Sequence, residues 1–216
     1  MSAASAGAEP ATRSWVPTAI STGAAIDDLA ANPQLNMAAT ANFDATVRLW
    51  DVRTGKLLRK VLGHNDSVLG VSFSRDGRFL ASAGLEGTVI VTDVATGRPV
   101  STIPVTGVIN KVALNATGET LAVATDTTLQ LWDVATASAI GPPFPLGTRV
   151  TALSFTHNGD LVTALATNPP EIIRWNLDAH TWIKTACAIA NRDLTVQERN
   201  QFIGAGFSGA AVCRST

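Results

Sequence analysis

The sequence predicts an all-β protein built from four consecutive strand units, and three features of the 216-residue chain support this prediction. Four segments end alike, TVRLWDV, TVIVTDV, TLQLWDV and IIRWNL, with Trp50, Thr92, Trp132 and Trp175 at the equivalent position. These positions are 42, 40 and 43 residues apart. Within each unit, short apolar runs alternate with turn residues. A repeat of about forty residues is typical of one four-stranded blade of a β-propeller.

Each unit follows the same internal order. An apolar strand comes first, predicted at Ile26–Ala31, Val68–Phe73, Ile109–Leu114 and Val150–Phe155. The turn after it reads NPQL, SRDG, NATG or THNG, and Asp, Asn and Gly suit such turns because they tolerate left-handed backbone. A second strand leads to a tight turn with Asp44, Glu86 or Asp126, and the third strand holds the Trp position. A last turn leads to an outer strand such as Lys56–Val61 or Pro99–Ile103.

The segment VSFSRDGRFLASAGLEGTVIVTDVATG, preceded by Gly63-His64, resembles the repeat of the WD-repeat β-propeller family, and the resemblance covers roughly residues 15–177. In that family a His, a Ser or Thr, an Asp and a Trp form a hydrogen-bonded set that locks each blade. The resemblance assigns to this blade lock Thr40, Asp44, Trp50, His64, Ser82, Glu86, Trp132 and Trp175. Thr22 stands near the His position of the first blade and Thr92 at the Trp position of the second. No blade has the complete set, so we expect a weaker lock.

The predicted organisation has three parts. Residues 1–13 form a disordered leader rich in Ala and Ser, and residues 14–177 form the propeller, with an outer strand at 15–20 and blades at about 26–61, 68–103, 109–144 and 150–177. Residues 178–216 form a helical C-terminal extension, with a helical pattern at Thr181–Ala190 and a capping box at Thr195–Glu198. The fourth blade has no outer strand of its own, and Trp15–Ile20 could supply it. Three interpretations remain open: part of a longer propeller, self-association into a larger ring, and a closed four-blade monomer.

The C-terminal segment ACAIANRDLTVQERNQFIG resembles the end of large bacterial WD-repeat proteins, which often carry a signalling NTPase module of the STAND type. The sequence has no P-loop motif, so the resemblance implies no nucleotide hydrolysis. Cys187 and Cys213 lie in this segment and could form a disulfide. We favour two free thiols, as expected in a reducing cytoplasm.

Composition excludes several function classes. With 16 Lys and Arg against 17 Asp and Glu, the chain lacks the basic surplus of a nucleic-acid binder and has no polybasic block for a membrane surface. No apolar run approaches the roughly 18–20 residues that span a bilayer. The N-terminus lacks the apolar core of a signal peptide, which predicts a cytoplasmic protein. A bias towards Arg and Ala is typical of GC-rich coding and suggests a bacterial source.

The sequence gives little evidence for a catalytic, metal or nucleotide site. Gly204–Gly209 matches G-x-G-x-x-G by letter, but it follows a predicted helix instead of a strand. The repeat separates His64, His157 and His180, so we predict neither a metal site nor a cofactor. His64, Ser82 and Glu86 resemble a hydrolase triad on paper, but the blade lock already accounts for them. We therefore predict no catalytic residues.

The remaining candidate is a binding surface. In WD-repeat propellers, partners often dock where first strands begin and second strands turn into third strands. In this chain that surface would carry Asp27, Phe43, Leu69, Leu85, Asn110 and Thr151. Phe43 and Leu85 could instead fold over neighbouring blades. The sequence thus predicts a non-catalytic scaffold for a protein or peptide partner; the alternatives are a sensor fragment of a STAND-type protein and, last, a propeller enzyme.

Overall fold

The computed structural model describes residues 19–178, which form four antiparallel sheets in chain order. Blade 1 has four strands: β1 (Ile26–Asn32), β2 (Met37–Asn42), β3 (Val47–Asp51) and β4 (Leu57–Val61). Blade 2 also has four: β5 (Val68–Phe73), β6 (Phe79–Gly84), β7 (Thr88–Asp93) and β8 (Pro99–Pro104). Blade 3 has β9 (Ile109–Leu114), β10 (Thr120–Thr125), β11 (Thr128–Asp133) and β12 (Ser138–Pro145). Blade 4 has three strands: β13 (Val150–Phe155), β14 (Leu161–Leu165) and β15 (Glu171–Trp175). The predicted all-β propeller fold is confirmed.

Turn chemistry explains why each first strand reverses into the second. Gly77, Gly118 and Gly159 have φ of 73°, 77° and 85°, a backbone region that favours glycine. Each donates its N–H to the carbonyl of the first turn residue, as Gly77 does to Ser74 at 2.9 Å. Blade 1 lacks this glycine, and Asn36 takes the left-handed conformation instead, with φ of 51°.

The blades are joined by three apolar clusters between consecutive sheets. Alanine, valine and leucine side chains of one blade meet the first and second strands of the next, as Ala39, Val47 and Leu49 of blade 1 meet Val68 and Leu80 of blade 2. Equivalent clusters join blade 2 to blade 3 and blade 3 to blade 4. The first strands line up along the inner side, β1 against β5, β5 against β9 and β9 against β13. Each cluster removes the apolar face of a sheet from water, which is the main favourable contribution to this architecture.

The four blades follow one another in an arc, and the chain at the two ends of this arc differs from the repeated pattern of four strands. Within residues 19–178, blade 4 has no fourth strand, and β15 is its outer edge. Of the predicted outer strand at 15–20 only Ala19 and Ile20 are described, and the Ile20 side chain lies over Gly55, in the turn between β3 and β4 of blade 1. The predicted leader and helical extension lie outside the described residues. None of the described residues forms a helix that could span a membrane.

Candidate functional site

One rim of the arc carries the loops that enter each first strand and the turns between second and third strands; we call it the upper rim. It comprises residues 62–67, 105–108 and 146–149 in the loops and 43–46, 85–87, 126–127 and 166–170 in the turns. Neighbouring segments are hydrogen-bonded to each other. The N–H of Leu85 donates to the Ser67 carbonyl at 2.8 Å, and the Ser67 hydroxyl donates to the Phe43 carbonyl at 3.2 Å. Ser67 therefore holds the turns of blades 1 and 2 beside one loop.

The six residues predicted for the binding surface occupy different environments on this rim and at the starts of the first strands beside it. Phe43 and Leu85 are 52% and 48% exposed, so neither side chain is folded away beneath a neighbouring blade. Asp27 and Thr151 are exposed, whereas Leu69 and Asn110 are half-buried. Asn110 donates its side-chain N–H to Asp126 at 2.9 Å. This bond connects β9 to the turn between β10 and β11, so the role of Asn110 is structural.

Sequence reasoning missed Val108, which is 48% exposed at the end of the loop that enters blade 3. Val108 directly precedes β9, as Ser67 directly precedes β5. The repeat phase could therefore have identified it, since Ser67 is the residue that contacts the Phe43 turn. Phe43, Leu85 and Val108 are exposed apolar side chains of blades 1, 2 and 3 on the upper rim, and we call these three the rim residues. The same rim also carries Leu62, which is 71% exposed in the loop that enters blade 2.

The lock in blade 1 is a single tryptophan–threonine pair. Trp50 Nε1 donates to Thr40 Oγ1 at 3.1 Å, and both residues are buried. The structure differs from the prediction for Asp44, which accepts hydrogen bonds from Thr46 Oγ1 at 2.5 Å and Arg48 Nη2 at 2.6 Å instead of joining Thr40. The physical reason is the missing His, because the Thr22 hydroxyl is short and donates to the Ala24 carbonyl at 2.9 Å. The Thr46 hydroxyl and the Arg48 guanidinium lower the pKa of Asp44.

Blade 2 contains a continuous hydrogen-bonded set around His64. Its Nε2 lies 2.8 Å from Ser82 Oγ, and its Nδ1 lies 2.5 Å from Glu86 Oε1. Thr92 stands buried at the Trp position and takes no part in this set. Through its two ring nitrogens, His64 connects the loop that enters blade 2 to β6 and to the turn after β6. These contacts stabilise the blade, so His64 has a structural role.

Blades 3 and 4 differ in the partner of their tryptophan. Trp175 Nε1 donates to Thr163 Oγ1 at 3.0 Å, a pair that repeats the one in blade 1. The buried Nε1 of Trp132 has no hydrogen-bond partner, because the equivalent position on β10 is Val123. Thr163 was missed in the sequence, although aligning the second strands on their tryptophans would have identified it.

A second repeated feature lies on the opposite, lower rim. Asp51, Asp93 and Asp133 each end a third strand and accept backbone N–H bonds from the turn that follows, from Thr54 at 2.9 Å, Thr96 at 2.8 Å and Thr136 at 2.8 Å. The backbone bonds from Thr54 and Thr96 are the chief cause of the lowered pKa of Asp51 and Asp93, whereas the Thr136 hydroxyl lowers the pKa of Asp133 most and the Thr136 N–H adds to it. The three aspartates thus stabilise turns.

The described residues offer little for catalysis. His157 contacts the Arg75 guanidinium through Nδ1, which links the lower turns of blades 2 and 4. His64, Ser82 and Glu86 are accounted for by their contacts within blade 2. In residues 19–178 no three His, Cys, Asp or Glu side chains are grouped so that they could hold a metal ion. His180, Cys187, Cys213 and Gly204–Gly209 lie outside the described part of the chain.

The repeats match the family model for the WD domain, G-beta repeat, at residues 16–51, 55–93 and 97–133, about half of the chain. The chain belongs to the WD-repeat family. In this WD-repeat chain the fourth unit, blade 4, lies beyond the matched residues. Its Trp175–Thr163 bond nevertheless follows the pattern of blade 1.

Curated relatives are similar to this WD-repeat chain over one part of its length. Small ribosomal subunit protein RACK1y of Oryza sativa subsp. japonica is 28% identical over 48% of this chain and 31% of its own length. Nuclear distribution protein PAC1 of Arthroderma otae is 30% identical over 45% of this chain and 27% of its own. The chain therefore spans about a third of the length of these relatives.

A solved β-propeller domain supports the fold. The Cps50 (Swd1) β-propeller domain from "Myceliophteria_thermophila" superimposes with a TM-score of 0.62 at 23% identity, and the match covers 73% of this chain and 54% of that one. At this identity the likeness shows the architecture alone.

Proposed function

We propose that this protein is a non-catalytic scaffold that binds a protein or peptide on the upper rim. The observation that carries the proposal is the exposure of Phe43 and Leu85 at equivalent turns of adjacent blades. Each stands seven residues before the Trp position of its blade. An isolated exposed apolar residue needs no explanation, but large apolar side chains repeated along one rim are a feature of interaction surfaces.

The rim is also suited to binding because its backbone is held in place. The contacts of Ser67 connect the turns of blades 1 and 2, and the Val105 N–H donates to the Gly87 carbonyl at 2.8 Å. A surface that is ordered before binding loses less conformational entropy when a partner docks. The rim residues can therefore act as anchors in a fixed arrangement.

The family supports the same proposal. WD-repeat propellers commonly act as interaction scaffolds, and relatives of this chain are named as a ribosomal subunit protein and a nuclear distribution protein. These names suggest roles in assemblies and not in catalysis. The cytoplasmic location and the bacterial source inferred from the sequence stay predictions, as do the absence of nucleic-acid and membrane binding.

A peptide-display selection on the purified chain tests the proposal. The affinity of an enriched peptide is then measured for the wild type, for the double variant Phe43→Asp with Leu85→Asp, and for Leu35→Asp. Leu35 is the matched control, because it is 44% exposed but lies in a lower turn of blade 1. We expect the double variant to lose binding and Leu35→Asp to keep it, with unchanged circular dichroism in both. Equal binding by all three proteins would exclude the upper rim.

A second candidate is a sensor or regulatory fragment of a STAND-type signalling protein. It rests on the C-terminal segment Ala186–Gly204, which resembles the end of such proteins. Sequencing the gene region tests it. In-frame upstream DNA that encodes further repeats and a P-loop would support this candidate, and unrelated upstream genes would exclude it.

A further inference from the structure

Blade 1 has an interblade face that lacks a neighbouring blade in the described part of the chain. This face carries Ala38, Thr40, Asn42, Arg48 and Trp50; we call it the leading flank. In blades 3 and 4 the equivalent face, which carries Trp132 and Trp175, packs on the preceding blade. In blade 1 the opposite face packs on blade 2, so the leading flank points away from every described blade.

The leading flank is nonetheless buried. Trp50 and Ala38 are each 6% exposed, and Arg48 is 9% exposed. The free flank of blade 4 behaves differently, since Ile172 is 78% exposed there. An uncovered sheet face leaves its central side chains in contact with water, as blade 4 does. The leading flank therefore has a cover that the four blades do not provide.

Two polar atoms on the leading flank indicate what kind of surface covers it. Asn42 Oδ1 and Arg48 Nη1 are buried without a hydrogen-bond partner, although Arg48 Nη2 bonds to Asp44. A buried acceptor and a buried donor left unpaired are costly. The flank suits a chain segment that combines apolar side chains with groups able to donate and accept.

We propose that residues 179–216 of the same chain seat on the leading flank and take the place of a preceding blade. This segment contains large apolar residues in a helical pattern, among them Trp182, Ile183 and Ile189, and an amphipathic helix needs a surface for its apolar side. The leader at 1–18 offers few large apolar residues, namely Met1, Trp15 and Val16. The proposal is independent of partner binding at the upper rim.

The geometry of the arc permits this arrangement. A channel of about 370 Å³ is lined by the four first strands, β1, β5, β9 and β13, and Lys111 of blade 3 lies 3.8 Å from Asp28 of blade 1. The inner strands of the first and last blades therefore face one shared channel. The segment after Asp178 has 38 residues, which would span about 57 Å as a helix at about 1.5 Å per residue.

Cysteine cross-linking in the full chain tests the proposal, because both natural cysteines, Cys187 and Cys213, lie in the segment. Lys60→Cys places a thiol beside the leading flank, since Lys60 is the cross-strand partner of Arg48. Ile172→Cys on the free flank of blade 4 is the matched control. With a short bismaleimide, we expect an intrachain link between Lys60→Cys and Cys187 or Cys213, and none with Ile172→Cys. Links only between chains, only with Ile172→Cys, or with neither variant would overturn the proposal.

Hydrogen exchange in point variants gives an independent measurement. Trp182→Asp should raise exchange in β2 and β3 of blade 1 several-fold and leave β9 to β11 of blade 3 unchanged, because only blade 1 loses its cover. Trp15→Asp is the control for the leader. If Trp15→Asp instead of Trp182→Asp raises exchange in blade 1, or if neither does, the segment 179–216 is not the cover.

Discussion

Trp132 lies with Val123 in the apolar cluster between blades 2 and 3, and its buried indole N–H has no acceptor. In blades 1 and 4 the residue at the Val123 position is a threonine that accepts this bond. Val123→Thr should therefore create a hydrogen bond with a favourable coupling of about 1 kcal/mol to Trp132. A double-mutant cycle with Trp132→Phe, followed by urea unfolding, measures this coupling.

The cycle is needed because a new hydroxyl also carries a desolvation cost. Val123→Thr in the Trp132→Phe background reports that cost alone. If the substitution changes the free energy of unfolding equally in both backgrounds, Trp132 does not use the new acceptor.

The converse change in blade 1 should destabilise the protein. Thr40→Val removes the acceptor of Trp50 Nε1 and leaves a buried donor unpaired, at a cost of about 1–3 kcal/mol. Chemical denaturation gives the value, and Thr102→Val at an exposed position of β8 serves as a surface control. A loss no greater than that of the control would mean that the Trp50–Thr40 bond adds nothing to stability.

Two serines of blade 2 should respond in opposite ways to substitution by alanine. Ser82 Oγ bonds to His64 Nε2, so Ser82→Ala should cost about 1–3 kcal/mol. Ser101 Oγ is buried without a partner, so Ser101→Ala should be neutral or stabilising. Thermal unfolding of the two variants separates the cases, and equal midpoints would contradict the role assigned to Ser82.

The loss of folding stability in acid should depend on the aspartates that accept hydrogen bonds in the lower turns. The pKa of Asp93 is lowered chiefly by the hydrogen bonds from Thr96, so its charged form is favoured in the folded state. The stability it contributes is present above its ordinary pKa of 3.8 and is lost as the pH falls through the lower folded value. Asp93→Asn should therefore be less stable than the wild type at neutral pH, and the difference should vanish in acid.

Asp27→Asn is the control for this pH series, because Asp27 is exposed on the upper rim and lies outside the repeated turns. Urea midpoints measured from pH 7 down to about pH 2 compare the variants. A gap between wild type and Asp93→Asn that stays constant across this range would show that the charge of Asp93 is not the cause.

The fold was predictable because the repeat combines a period with turn chemistry. The spacing of Trp50, Trp132 and Trp175 indicates one blade per unit, and the turn glycines Gly77 and Gly118 occupy positive-φ positions that the sequence pattern marks. These signals are local in the sequence, so they can be interpreted without knowing how neighbouring blades pack.

The side-chain partners were less predictable because they depend on which residues meet across strands and blades. The sequence suggested Asp44 as part of a lock, yet without a nearby histidine its carboxylate pairs with Thr46 and Arg48. The exposure of Val108 likewise depends on how the loop entering blade 3 lies against the turn of blade 2. The repeat shows where a side chain is in its blade, but not which group compensates for a substituted partner.

Site-specific photocross-linking tests the central claim, partner binding on the upper rim, most directly. A photoreactive phenylalanine analogue is placed at Phe43 in one protein and at Leu35 in another, and each is irradiated with the peptide enriched by display. The account predicts a covalent adduct through position 43 and none through position 35. An adduct through position 35 alone would contradict the account and place the binding surface on the lower rim.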